Sequence, residues 1–181
     1  MATYISILRG INVSGKKLIK MDALKAMYEQ LGFQNAITYV QSGNVVFSSE
    51  IEDSKELEQL IKTKIKEVFD FEVPIIVLTK DELAEIVANN PFSKDATKDK
   101  EFLHFTFLAA QPGNINVEDI ASNKQEGEDI AFSDKMIYLY CPLGYGNTKL
   151  STNFLESQLK VEATTRNYNT TTALLKLALI K

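Results

Sequence analysis

The chain has 181 residues, 45% of them hydrophobic and 24% charged, with a formal net charge of −4. That composition can fill the core of one large domain or two small, closely packed ones, and no apolar run approaches the roughly 20 residues that cross a bilayer. A single cysteine and a single histidine exclude an internal disulfide and argue against a zinc or iron ligand set. The opening MATYISILRG lacks a basic flank, and its apolar run is too short for a signal peptide, so a cytoplasmic location is expected. Charge is graded: residues 1–50 carry five bases and three acids, 51–130 nine bases and eighteen acids, and 131–181 six bases and three acids. The acidic middle argues against indiscriminate nucleic-acid binding, which needs a broad basic footprint.

Tyr4–Arg9 reads as a strand stopped by Gly10. After the polar loop INVSGKKLIK, a helix is expected from Asp22 as N-cap, with Leu24, Met27, Tyr28 and Leu31 at helical spacing and Gly32 as left-handed cap. Ala36–Val40 and Asn44–Ser48 form a hairpin across Gln41-Ser42-Gly43. Asp53 and Glu56 make a capping box for a second helix, whose expected buried stripe is Leu57, Leu60, Ile61, Ile65, Val68 and Phe69. Val73–Leu78 is a strand, and Pro74 near its start favours a sheet edge.

A linking helix begins near Thr79 with Glu82 completing its box, and Pro91 stops it by Asn90. The charged SKDATKDKE reads as a mobile loop. The pattern then repeats: strand Phe102–Ala109, a short helix around Val117, Ile120 and Ala121, strands Ile130–Ser133 and Met136–Cys141, helix Leu150–Leu159, extended Val161–Thr165 and a closing helix Tyr168–Ile180. The expected fold class is α+β, with two tandem ferredoxin-like (βαββαβ, α-β plait) halves. They fall at 1–79 and 101–181, with a linking helix and loop at 80–100 and a C-terminal helix closing the second.

His104 lies in a strand beside Phe105 and Phe107 and reads as structural. Cys141 ends an apolar strand and reads as a buried, inert thiol. Gly10–Lys16 matches G-x-x-x-x-G-K after a strand, but Lys17 stands where a magnesium-binding Ser or Thr is needed and the helix starts residues later. What survives is a glycine loop presenting Lys16, Lys17 and Lys20 to an anion. Only two of the twenty basic residues are arginine, Arg9 and Arg166, each with asparagine three residues later (Asn12 and Asn169). Arginine's planar fork suits phosphate or carboxylate, so the pair reads either as anion-binding arms or as structural struts. Gln41-Ser42-Gly43-Asn44 and Gly144–Lys149 are further polar junctions, where turn chemistry alone also accounts for the Gly and Asn content.

The runs LRGINVSGK, TYVQSGNVVFSS, NNPF, GYGNTKL and ATTRNYNT resemble, in order and along the whole chain, domain-of-unknown-function family 1697 of uncharacterised bacterial proteins. The resemblance implies a pair of α-β plait domains and no established activity, cofactor or substrate. Its polar signature falls on Arg9, Asn12, Lys16, Gln41, Ser42, Asn44, Lys149, Thr165, Arg166, Asn167 and Asn169. Ser14, Asn147-Thr148 and Tyr168 depart conservatively from the family pattern.

The expectation drawn from residues and resemblance together is binding of a small anionic, phosphate-bearing ligand by that cluster. Three alternatives stand beside it. One is a metal-independent enzyme acting on a phosphorylated small molecule with Tyr145 as proton donor. Another is single-stranded nucleic-acid binding, and the last is a structural cluster whose function lies in protein partnering. No cofactor, metal or membrane is expected, and the protein is expected to be a monomer or weak homodimer.

Overall fold

The computed structural model describes residues 1–180. Its elements divide into two compact units, Ile86–Thr172 and Met1–Glu85 together with the end of the last helix from Ala173.

The first unit begins with β1 (Ala2–Leu8), α1 (Met21–Gln30), β2 (Gln34–Tyr39) and β3 (Asn44–Ser49). α2 (Ser54–Phe69), β4 (Ile75–Thr79) and the start of α3 (Lys80–Ala88) follow. Its sheet is antiparallel in the order β2-β3-β1-β4. Alternation along β1 and β3 sends Tyr4, Leu8, Val45 and Phe47 to the face that meets Leu24, Met27 and Tyr28 of α1 and Leu57, Ile61 and Ile65 of α2. Phe47 sits among three other rings, stacked on Tyr4 and Phe33 and edge-on to Tyr28. The buried hydroxyls of Tyr28 and Ser6 satisfy each other at 2.7 Å.

The second unit holds β5 (Leu103–Leu108), α4 (Val117–Ala121), β6 (Asp129–Phe132), β7 (Met136–Tyr140), α5 (Thr152–Leu159), β8 (Ala163–Asn167) and the start of α6 (Tyr168–Leu179). Its sheet is likewise antiparallel, in the order β6-β7-β5-β8. Leu108, Ile137, Leu139 and Ala163 pack with Ile120 of α4 and Leu155 and Leu159 of α5. Phe105 lies on the opposite face, edge-on to Tyr138 and 6.2 Å from Tyr168.

Several sequence expectations change. The N-cap of α1 is Lys20, and Asp22 sits inside the first turn, where its charge still suits the helix dipole. Leu60 and Val68 are exposed, so the buried stripe of α2 is the narrower i, i+4 row of Leu57, Ile61 and Ile65. α5 starts at Thr152, capped by Ser151, and β8 lies two residues later than expected because Lys160 takes a left-handed C-cap and Glu156 accepts from Ala163 N. The SKDATKDKE segment is tied down: Lys98 pairs with Asp129 at 2.7 Å and lies over the Tyr140 ring. Among the described residues, no helix is long and apolar enough to cross a membrane.

Candidate functional site

The loop leaving β1 is organised by one side chain. Asn12 accepts from Ile19 N through Oδ1 (2.8 Å), while its Nδ2 donates to Ile19 O and Gln41 O, both at 2.9 Å. Its backbone N–H donates to Lys17 O. Within that frame, Lys16 N donates to Val13 O, and the two residues between, Ser14 and Gly15, have φ of 51° and 71°. Positive φ at both central positions marks a primed two-residue hairpin turn. The G-x-x-x-x-G-K stretch is therefore a small hairpin rather than a phosphate cradle running into a helix.

Gln41, Ser42 and Asn44 build the facing turn between β2 and β3. The fully buried Asn44 donates through Nδ2 to Tyr39 O and Ser42 Oγ. Gly43, at φ 80°, accepts through its carbonyl oxygen from Leu8 N at 2.8 Å, and a Cβ there would stand 2.8 Å from Leu8 Cβ and Ile11 Cδ1. The LRGIN and QSGN motifs are thus two halves of one interlocked corner. Arg9 is half-buried at that corner, with its backbone N–H donating to Pro74 O. Lys16 and Lys20 are exposed, and Lys17 donates through Nζ to Glu72 O.

In the second unit the expected residues separate by strand alternation. Thr165 and Asn167 point to the face of β8 that carries their register partners Thr106 and His104, whereas Arg166 points to the other, beside Phe105. Arg166 Nη1 donates to Thr165 O, and burial pulls its guanidinium down to about 10. Asn167 caps α6, accepting from Thr170 N through Oδ1, and Asn169 is exposed in the first helical turn. Lys149 is exposed just before α5.

Tyr145 lies in a single 3₁₀ turn (Tyr145–Asn147). Its phenol oxygen accepts from Thr152 N at 3.0 Å and bonds Thr152 Oγ1 at 2.9 Å, while Thr165 Oγ1 bridges Thr152 and Thr106. The Tyr145 ring stacks on His104, centroids 4.7 Å apart. Thr106, Thr152 and His104 were not among the expected site residues. Their one sequence signal is a polar residue on the inward register of a strand or at the first position of a helix. Burial holds the His104 imidazole below its ordinary value, against a backbone hydrogen bond to Phe102 O. Cys141 is buried and its thiol is pushed up to about 11, by desolvation first and the nearby Glu128 second. Among the described residues no group of three or more His, Cys, Asp or Glu is placed to hold a metal ion.

The whole fold is similar to that of a solved structure, the conserved bacterial protein SP0830 from Streptococcus pneumoniae, at 21% identity over 98% of both chains and a TM-score of 0.74. No curated protein matches the chain. A family model matches residues 1–138, which takes in the interlocked corner and stops short of GYGNTKL and ATTRNYNT. With three quarters of its length inside that match, the chain belongs to the family described as protein of unknown function DUF1697.

Proposed function

We propose that the chain binds small phosphate-bearing anions through cations and amides on the strand-end loops of each unit. In the first unit these are Arg9 and Lys16, with Asn12, Gln41, Ser42 and Asn44 fixing the loops that carry them. In the second they are Lys149 and Arg166, with Tyr145, Asn167 and Asn169 offering hydrogen bonds, while the Thr165 hydroxyl is spent on Thr106 and Thr152. The observation that supports this reading is the segment from Arg9 to Lys20, which carries four cations and no acid and is pinned by the four hydrogen bonds of Asn12. A cationic loop already held in one shape loses less freedom when an anion docks. Each unit reads as a ferredoxin-like half, since the strand orders β2-β3-β1-β4 and β6-β7-β5-β8 with one helix in each crossover support that topology.

Thermal-shift screening against nucleotides, sugar phosphates, phosphorylated coenzymes, phosphate and pyrophosphate tests the proposal. A ligand at about 100 times its Kd adds roughly 2.7 kcal/mol. A shift that shrinks in Arg9→Gln, Lys16→Gln or Arg166→Gln is expected. A panel without any shift, on variants that fold normally, overturns the reading.

A further inference from the structure

Four side-chain hydroxyls run in a line through the second unit. Thr106 Oγ1 lies 2.8 Å from Thr165 Oγ1, which lies 2.8 Å from Thr152 Oγ1, which lies 2.9 Å from the Tyr145 phenol oxygen. Each hydroxyl has one hydrogen to give and two lone pairs to receive, so such a line has a direction. Its inner end, Thr106, is fully buried, and its side chain bonds only Thr165 among the described residues. If Thr106 merely accepted, a buried O–H would go unmatched, which is costly. Thr106 therefore donates to Thr165, Thr165 to Thr152, and Thr152 to Tyr145. The phenol oxygen also receives the backbone N–H of Thr152. With both lone pairs occupied, its own hydrogen is left to be donated away from the line.

One polar group stacks on the Tyr145 ring, and a second is that group's register partner. His104, stacked on the Tyr145 ring, bonds Phe102 O through Nδ1. A carbonyl only accepts, so Nδ1 carries the hydrogen and Nε2 of the neutral ring keeps its lone pair. Asn167 is the register partner of His104 on β8, and its Oδ1 is engaged by Thr170 N, which leaves the Nδ2 hydrogens as donors.

We propose, building on the reading that phosphate-bearing ligands bind this chain, that Tyr145, Asn167 and His104 grip one phosphate group of such a ligand within the second unit. Tyr145 and Asn167 donate to phosphate oxygens. His104 Nε2 receives the hydrogen of the monoprotonated phosphate or, once protonated, donates to the dianion. Thr106, Thr165 and Thr152 are positioning residues that fix which way the Tyr145 hydrogen points.

Because His104 is the only histidine, its imidazole signals in NMR report on this site alone. Titrating inorganic phosphate into the full chain should move them saturably and raise the pKa of His104. Tyr145→Phe keeps the ring stack but should weaken phosphate binding about tenfold or more, the loss of one hydrogen bond to a charged group. Thr165→Ser should bind as wild type. Thr165→Val removes the donor that orients Thr152, frees the phenol hydrogen to turn inward, and should weaken binding severalfold. This Ser/Val pair decides the matter should Tyr145→Phe fail to fold.

Histidine signals unmoved through the millimolar range of phosphate, or Thr165→Val binding as tightly as Thr165→Ser, overturn the proposal. A thermal-shift ligand that is lost in Lys16→Gln yet leaves His104 unmoved removes this site while keeping the wider reading. Absence of any ligand by either method removes both.

Discussion

Gly43 meets two demands at once, a left-handed φ and a backbone too close to Leu8 and Ile11 for any side chain. Gly43→Ala should therefore cost about 2 kcal/mol or more, read as a lowered midpoint in denaturant with an unchanged slope. The sequence marks this corner by its Gly, Asn and Ser content, but the same residues serve a turn or a ligand equally well. Only the partner atoms of Asn12 and Asn44 tell which groups are spent inside the fold. The hydroxyl line was illegible for a related reason: Thr106, Thr152 and Thr165 are far apart in sequence, and β pairing plus a helix start bring them together. His104 carries a pH signature. Its folded value lies below the ordinary one of about 6.5, so the unfolded chain takes up the proton first as pH falls. Stability should be unaffected by this group above about pH 6.5 and decline as pH drops from there through the folded value. Chemical denaturation from pH 7.5 to 5 should show that decline, and His104→Gln should flatten it.

Helix and strand identities were largely readable, because caps and periodicity act locally. Thr79 and Glu82 form the reciprocal box that their spacing implied, Thr79 N donating to Glu82 Oε2 at 2.8 Å and Glu82 N to Thr79 Oγ1 at 3.1 Å. Thr79→Ala should cost about 1 kcal/mol, visible as a drop of about 2–4 °C in Tm for a chain of this size. Pro74 precedes an edge strand, as its missing N–H requires. Stripe width on α2 was not readable, since the period of an amphipathic helix fixes its apolar direction but not how much of it the sheet covers. Leu57→Ala should cost about 2–5 kcal/mol, whereas Leu60→Ala, on an exposed side chain, should stay within about 0.5 kcal/mol. Thermal melts of the two variants side by side check that contrast.

Over the whole chain, charge and aromatic placement bear on the ligand. The acids concentrate in residues 51–130, leaving the segment from Arg9 to Lys20 purely cationic. β5 and β7 do carry Phe105, Phe107 and Tyr138, the kind of aromatic series that stacks bases in plait domains. These rings are all buried, however, and short oligonucleotides should give no thermal shift beyond that of their phosphates. The repeat of two four-stranded sheets follows from element order, which the sequence displays. The separation of Arg166 from Thr165 and Asn167 follows from strand register, which a two-residue misplacement of β8 had hidden.

The most direct test of anion binding is calorimetric titration of pyrophosphate into the wild-type chain and into Lys16→Gln at low and high salt. Saturable heat is expected, weakening as salt rises and weakening again in the variant. Saturable binding indifferent to both salt and Lys16, or no heat at all from a folded chain, would contradict it.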